Sequence, residues 1–298
     1  MYKYYKKDYY KIMQYEFDSI SEFIDYLDTA PINKWFSMEG ELASEEKDYE
    51  FCGTKTLEEA KELCKFGYHE DFDRLVDLKL TLEKYIKYSE KKSKQYNYYV
   101  GYAPDVKAYL EGNPLSMLNR EYPKYKHIDI YYNAANLARV DQDQIFNRGA
   151  VTLCLVEILE SMGFGVDLKI FLMSSEHEQI HYAKFNLKQP GERLNIQKLY
   201  FPLCHPSFLR RLGFRLKEQT PDISRSWVDG YGRTCDDYTI RQVLDLKEND
   251  IVICQAEEMG VKGYDIIDDA NAMFEYINKF TNEEVKLEHI KRLRNLYM

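Results

Sequence analysis

The chain has 298 residues, 45% of them apolar, enough for a substantial core in one large α/β domain or two modest ones. Its 41 basic and 50 acidic residues give a formal charge of −9, which argues against general affinity for nucleic-acid phosphate but leaves room for a local basic face. No run approaches the ~20 apolar residues of a membrane span, and Cys52, Cys64, Cys154, Cys204, Cys235 and Cys254 show no C-x-x-C pairing, so reduced, buried thiols in a soluble intracellular protein are expected.

Residues 1–95 read as a mainly helical N-terminal region. Its opening, "MYKYYKKDYYKIMQYEF", is basic and aromatic and lacks the apolar stretch of a signal peptide. In "SISEFIDYLDTA", Ser19 is placed to cap a helix whose Ile20, Phe23, Ile24 and Leu27 share one face. In "TKTLEEAKELCKFG", Thr56 and Glu59 have capping-box spacing, Leu57, Ala60, Leu63 and Cys64 form the apolar stripe, and Gly67 supplies the stop. "HEDFDRLVDLKLTLEKYIKYSEKKSKQ" continues as a long amphipathic helix that fades into a charged run at Lys91–Lys94.

Residues 96–298 read as an α/β domain with C-terminal helices. "YNYYVGYAPDVKAYLEGNPLSM" is irregular, punctuated by Pro104, Gly112 and Pro114. "HIDIYYN" is a strand. "DQDQIFNRGAVTLCLVEILESMG" is a long helix, apolar along Ile145, Val151, Leu155 and Leu159, and "FGVDLKIFLM" is a strand buried on both faces. Together they form a parallel β-α-β unit with a right-handed crossover. "IHYAKFNLK" alternates and folds back as a hairpin. Two short helical pieces follow, interrupted at Pro202 and Pro206. Then come a buried strand at "DIVICQ" and closing helices at "DDANAMFEYINKF" and "NEEVKLEHIKRLRNLYM". The fold class is α/β: a helical N-terminal region packed on a mixed, partly parallel sheet with flanking helices.

Four patterns bear on chemistry. "HEQIH" has the zincin form H-E-x-x-H, in which two histidines on one helix face bind Zn²⁺ and the glutamate is the general base. Here the flanks read as strands, so His177, Glu178 and His181 fall on a hairpin, and a zinc site is the lesser alternative. In "CHPSFLRRLGFR", His205, Arg210 and Arg211 cluster. The arginines could grip a phosphate or carboxylate, or form structural ion pairs with an acid such as Glu218. In "RSWVDGYGRTCDD", Gly230 and Gly232 imply an exposed loop carrying Trp227, Tyr231 and Arg233, residue types favoured at binding surfaces. Asn133 and Asn136 shape a loop at the carboxyl end of a sheet strand, where ligands often dock. Tyrosine is abundant, 27 residues, and Tyr85, Tyr88, Tyr96, Tyr98, Tyr99, Tyr122 and Tyr125 lie among or near lysines, a pattern suited to stacking single-stranded nucleic acid.

In order along the chain, "FCGTKTLEEAKELCKFG", "GYAPDVKAYLEGNPLSM", "IDIYYNAA", "NRGAVTLCLVEILESMGFGVDL" and "HPSFLRRLGFRLKE" resemble a family of roughly 300-residue proteins of unknown function. That family is encoded by bacteriophages and mobile elements, and the resemblance spans about residues 15–255. A weaker resemblance is to von Willebrand A-type domains, in which a buried strand ends in a metal-holding D-x-S-x-S motif before a long helix and a "GxxVxL" strand. Asn133 stands where the first Asp would be and Ala135 replaces the first Ser, poor ligands for a hard cation. The resemblance to the phage family implies a phage context and the cytoplasm of an infected bacterial host; the lack of a well-placed catalytic set and the acidic, aromatic-rich composition add the expectation of a non-enzymatic accessory protein. It would bind a protein partner of host or phage, inhibiting a defence system or serving virion assembly, with no cofactor, no membrane and oligomerisation open. The alternative is a metal-dependent hydrolase or nucleic-acid-binding protein of phage DNA metabolism.

Overall fold

The computed structural model describes residues 1–39, 49–67, 72–85, 94–101, 103–121, 126–247, 250–281, 287 and 290. The chain opens with strands β1 (Tyr2–Lys7) and β2 (Tyr10–Phe17), then helices α1 (Ile20–Thr29), α2 (Lys34–Glu39), α3 (Tyr49–Cys52), α4 (Leu57–Phe66) and α5 (Phe72–Tyr85). Next come β3 (Lys94–Tyr98), β4 (Ala103–Pro104), α6 (Val106–Leu110) and β5 (Met117–Glu121). The central unit is β6 (Lys126–Asn133), α7 (Gln142–Ser161), β7 (Phe164–Glu176) and β8 (Gln179–Lys188). It is followed by α8 (Ile196–Cys204), a π-helical segment (Phe208–Gly213) running into α9 (Phe214–Glu218), β9 (Arg233–Thr234), α10 (Asp237–Leu244), β10 (Ile251–Ile253) and α11 (Ile266–Ile277).

The main sheet runs β1-β2-β8-β7-β6-β10, with β9 on β7. β6 pairs in parallel with β7 and β10, β2 in parallel with β8, and the hairpins β1–β2 and β7–β8 are antiparallel. The mixed α/β class, the β-α-β unit and the β7–β8 hairpin therefore stand as the hydrophobic pattern requires. The helix signals hold as well. Ser19 accepts from the Glu22 N–H at 3.1 Å and Thr56 from the Glu59 N–H at 3.1 Å, while Gly67 ends α4 at φ +91°. Asp141 caps α7 in a full capping box with Gln144.

Three segments differ from expectation. Residues 2–17, placed in a mainly helical region, form a hairpin whose turn holds Asp8 at φ +54°. Met13, Tyr15 and Phe17 alternate onto the helix-covered face of the sheet, a period of two that lysine-rich neighbours obscure. The irregular stretch after residue 95 supplies a separate small sheet, β3-β5-β4. Pro202 lies inside α8 rather than breaking it, and the helix ends two residues later at Cys204. The segments 86–93 and 282–286 and most of 288–298, where a helix tail and the last closing helix were expected, lie outside the described residues.

The main core covers both faces of β7, where Ile170, Phe171, Leu172 and Met173 are all buried. Phe17 and Phe185 stack, and Phe185 meets Phe23 of α1 and Phe208 of the π-helical segment edge-on. All six cysteines are free and buried. No helix among the described residues is long and apolar enough to cross a membrane.

Candidate functional site

At the carboxyl end of β6 the backbone is held by one fully buried amide. Asn133 Oδ1 accepts from the N–H groups of Ala135 (3.1 Å) and Met173 (3.0 Å); its Nδ2 donates to Met173 O (3.3 Å) and Thr234 Oγ1 (3.2 Å). Asn133 thus ties the loop after β6 to β7 and β9 with its whole hydrogen-bonding capacity. Thr234 extends the clamp by donating to Ala135 O at 3.2 Å.

The clamp forms the floor of a pocket of about 210 Å³. Asn136 and Ala138 from the loop after β6, Ser174 from β7, Arg210 and Lys217 from the π-helical segment and α9, and Arg233 from β9 line it. No acidic side chain is among the described lining residues. Lys217 is 2% exposed, and its ammonium donates to Tyr231 O at 2.7 Å. Burial pulls its pKa down to about 7, against a slight raising effect of Cys235. Ser174 is also 2% exposed, and its hydroxyl has no partner among the described residues; Asn136 Oδ1 is likewise buried and unpartnered. Asn136 Nδ2 donates to Ala134 O at 3.0 Å.

Arg210 contributes charge to this pocket but few open donors. Its Nη1 donates to Phe51 O at 2.7 Å and its Nη2 to the carbonyls of Val140 and Ala138, with the guanidinium 4.0 Å above the Phe51 ring. Burial lowers its pKa to about 10. Arg211, fully buried, gives Nη2 to Thr54 O (3.0 Å) and Lys55 O (3.2 Å). The two arginines therefore do not close on one anion: consecutive residues of a helix point apart, and each holds a different stretch of backbone. His205 is not among the residues lining the pocket. It ends α8, stacks on Phe201 at 4.8 Å and accepts the Ser207 N–H on Nδ1 at 3.2 Å; burial lowers its pKa to about 4.

The expected surface aromatics are core residues. Trp227 is fully buried, donating its indole N–H to Gln179 Oε1 at 2.9 Å. Tyr231 stacks on Phe214 at 4.0 Å, and its hydroxyl donates to Glu218. The glycines turn the chain inward. Gly232 sits at φ +75°, where an added Cβ would lie 2.5 Å from Trp227 and 2.9 Å from Ser175 O. Of Trp227, Tyr231 and Arg233, Arg233 is the exposed one, and it lines the pocket.

The H-E-x-x-H residues lie on the β7–β8 hairpin. His177 occupies the turn at φ +52° with its side chain 80% exposed. His181 is fully buried in β8, its Nε2 3.1 Å from Thr220 Oγ1 and its ring between Tyr15 and Trp227. Burial, with Lys217 nearby, holds its pKa well below the usual value. Glu178 faces Lys11 at 3.5 Å. The one cluster among the described residues with metal-ligand spacing is elsewhere, His127, Asp129 and Asp167 at the amino ends of β6 and β7. Lys169 already sits in it, 3.0 Å from Asp129 and 3.4 Å from Asp167. Of the tyrosine–lysine series, Tyr98 and Tyr99 are exposed with rings 5.7 Å apart. Tyr88, Tyr122 and Tyr125, and the side chains of Tyr85 and Tyr96, lie outside the described residues.

Sequence reasoning missed Lys217 and Ser174. Lysine in "RLKEQT" has the pattern of a helix surface, and Ser174 ends an apolar strand without any motif. A faint signal existed in the aromatic crowding of "RSWVDGY" downstream, which needs something to pack on.

Fold and pocket define a mixed α/β protein with a cationic recess at the carboxyl end of its parallel strands. The chain belongs to the DUF7192 family, a domain of unknown function whose model matches residues 3–283. No curated protein and no solved structure matches it.

Proposed function

We propose that this chain is a non-enzymatic phage accessory protein. It works in the cytoplasm of the infected bacterium by binding a protein partner, and its cationic pocket takes hold of an anionic group of that partner. The observation that carries this reading is the lining: Arg210, Lys217 and Arg233 converge without an acidic side chain among the described lining residues. Burial has pulled the Lys217 pKa down to about 7, and an anion in the pocket would favour its charged form. A protein partner is supported by a second surface. Tyr98, Tyr99, Val100, Val106, Tyr109 and Leu110, on or beside the small sheet, are 51–78% exposed, a concentration of apolar side chains that favours association.

The phage context rests on the sequence blocks shared with phage and mobile-element proteins. The order β6-α7-β7 is what a von Willebrand A-like arrangement would have, while Asn133 and Ala135 depart from its metal motif. Asn133 instead spends its amide on Thr234 and on the backbone of Ala135 and Met173. Inhibition of a host defence system and virion assembly are the two purposes such binding would serve.

The test is affinity capture from infected cells with the wild-type chain and with Arg233→Glu. A partner retained by the first and lost by the second is the expected result. Equal capture by both would remove the pocket from the function.

A further inference from the structure

We infer that the group this pocket receives is a polypeptide carboxyl terminus: an α-carboxylate together with the amide N–H of the same residue. The inference rests on the cationic-pocket reading above and narrows it. Two separate demands lead to it. Ser174 and Lys217 are each 2% exposed and both line the pocket. The serine hydroxyl has no partner, and the lysine ammonium has no carboxylate within ion-pair distance among the described residues. An anion with two acceptor oxygens answers both, with Arg233 at the mouth adding charge.

The second demand has the opposite sign. Asn136 Oδ1 is a buried acceptor with no donor among the described residues. Its amide cannot turn over to offer N–H instead, because Nδ2 is committed to Ala134 O at 3.0 Å and a flip would set two oxygens against each other. The ligand must therefore bring a donor beside its anionic oxygens. Acetate has none. An aspartate or glutamate side chain has its nearest N–H one or two bonds further out. An α-carboxylate has its own amide N–H on the adjoining carbon, the pairing by which chain termini are captured elsewhere. About 210 Å³ accommodates one terminal residue with its peptide group, and the bare backbone of Gly230 on the wall, where an added Cβ would meet nothing within 4 Å, leaves space for the chain leading away.

The full chain is titrated, with NMR or calorimetric detection, with N-acetylglycine, N-acetylsarcosine, acetate, and the tripeptide Ala-Ala-Gly as free acid and as carboxamide. N-acetylglycine and the free-acid tripeptide are expected to bind. N-acetylsarcosine, which keeps the charge and carries a methyl in place of the N–H, is expected to bind about tenfold more weakly, as is the carboxamide. Ser174→Ala and Arg233→Ala each weaken N-acetylglycine by roughly tenfold. Arg233 lies outside the core, so its variant keeps the wild-type melting temperature. Equal affinity for N-acetylglycine and N-acetylsarcosine overturns the carboxyl-terminus assignment and leaves the cationic pocket standing. Absence of binding by every anion overturns both, and binding indifferent to both variants does the same by placing the anion elsewhere.

Discussion

Two corners of the sheet carry paired polar residues a few positions apart, and they behave differently. At the β7–β8 turn, His177 stands in solvent and His181 is sealed behind Trp227, because strand pairing separates what a helix would bring together. At the end of β6, Asn133 is consumed by its own backbone neighbours, yet Asn136 beside it meets Ser174, Lys217 and Arg233 from three distant elements. Local spacing decides chemistry only when one regular element presents both groups. A site at the end of a sheet is assembled by whichever loops and helices the topology brings there.

The comparison breaks most sharply at Asn133. Asn133→Ala removes the acceptor of two buried N–H groups and should destabilise the fold by about 4 kcal/mol, read by urea unfolding. A near-neutral result would mean the clamp is not what holds the corner. Acid sensitivity comes next. His205 is neutral in the fold down to about pH 4, whereas an unfolded histidine takes its proton near 6.5, so stability is lost as pH falls between these values. That loss amounts to roughly 3 kcal/mol, and His181, lowered for the same reason, adds to it. His205→Gln should flatten part of this slope in a pH series of melting temperatures.

Gly232→Ala should cost roughly 3 kcal/mol, from left-handed backbone and the contact with Trp227. His181→Ala should cost about 2 kcal/mol while His177→Ala stays within about 0.5 kcal/mol; similar losses for the two would contradict the hairpin's division into inside and outside. The smallest effect sharpens the pocket. Lys217 loses its charge as pH rises through about 7, so affinity for N-acetylglycine should fall between pH 6 and 8, and the fall should vanish in Lys217→Arg.

Much of the frame was legible along the chain. Ser19, Thr56, Asp141 and Gly67 mark helix ends through local hydrogen bonds, and the β6-α7-β7 unit announces itself by a change of hydrophobic period. The N-terminal hairpin was not legible, because β1 is an edge strand whose lysines and tyrosines carry no clean alternation. Trp227 and Tyr231 were legible as special but not as buried. Glycine loops are usually exposed, and here Gly232 instead folds the indole under the sheet edge.

By itself, then, the amino-acid order determined the class of fold, the strand–helix–strand core and the hairpin that parts His177 from His181, since these follow from periodicity and capping within single segments. Tertiary structure alone decided that Lys217 is buried, that Ser174 and Asn136 keep unanswered polar atoms, and that Arg210 and Arg211 serve backbone carbonyls instead of one ligand. Burial and hydrogen-bond partnership depend on residues as far as 159 positions away, and no local pattern encodes which of them arrive.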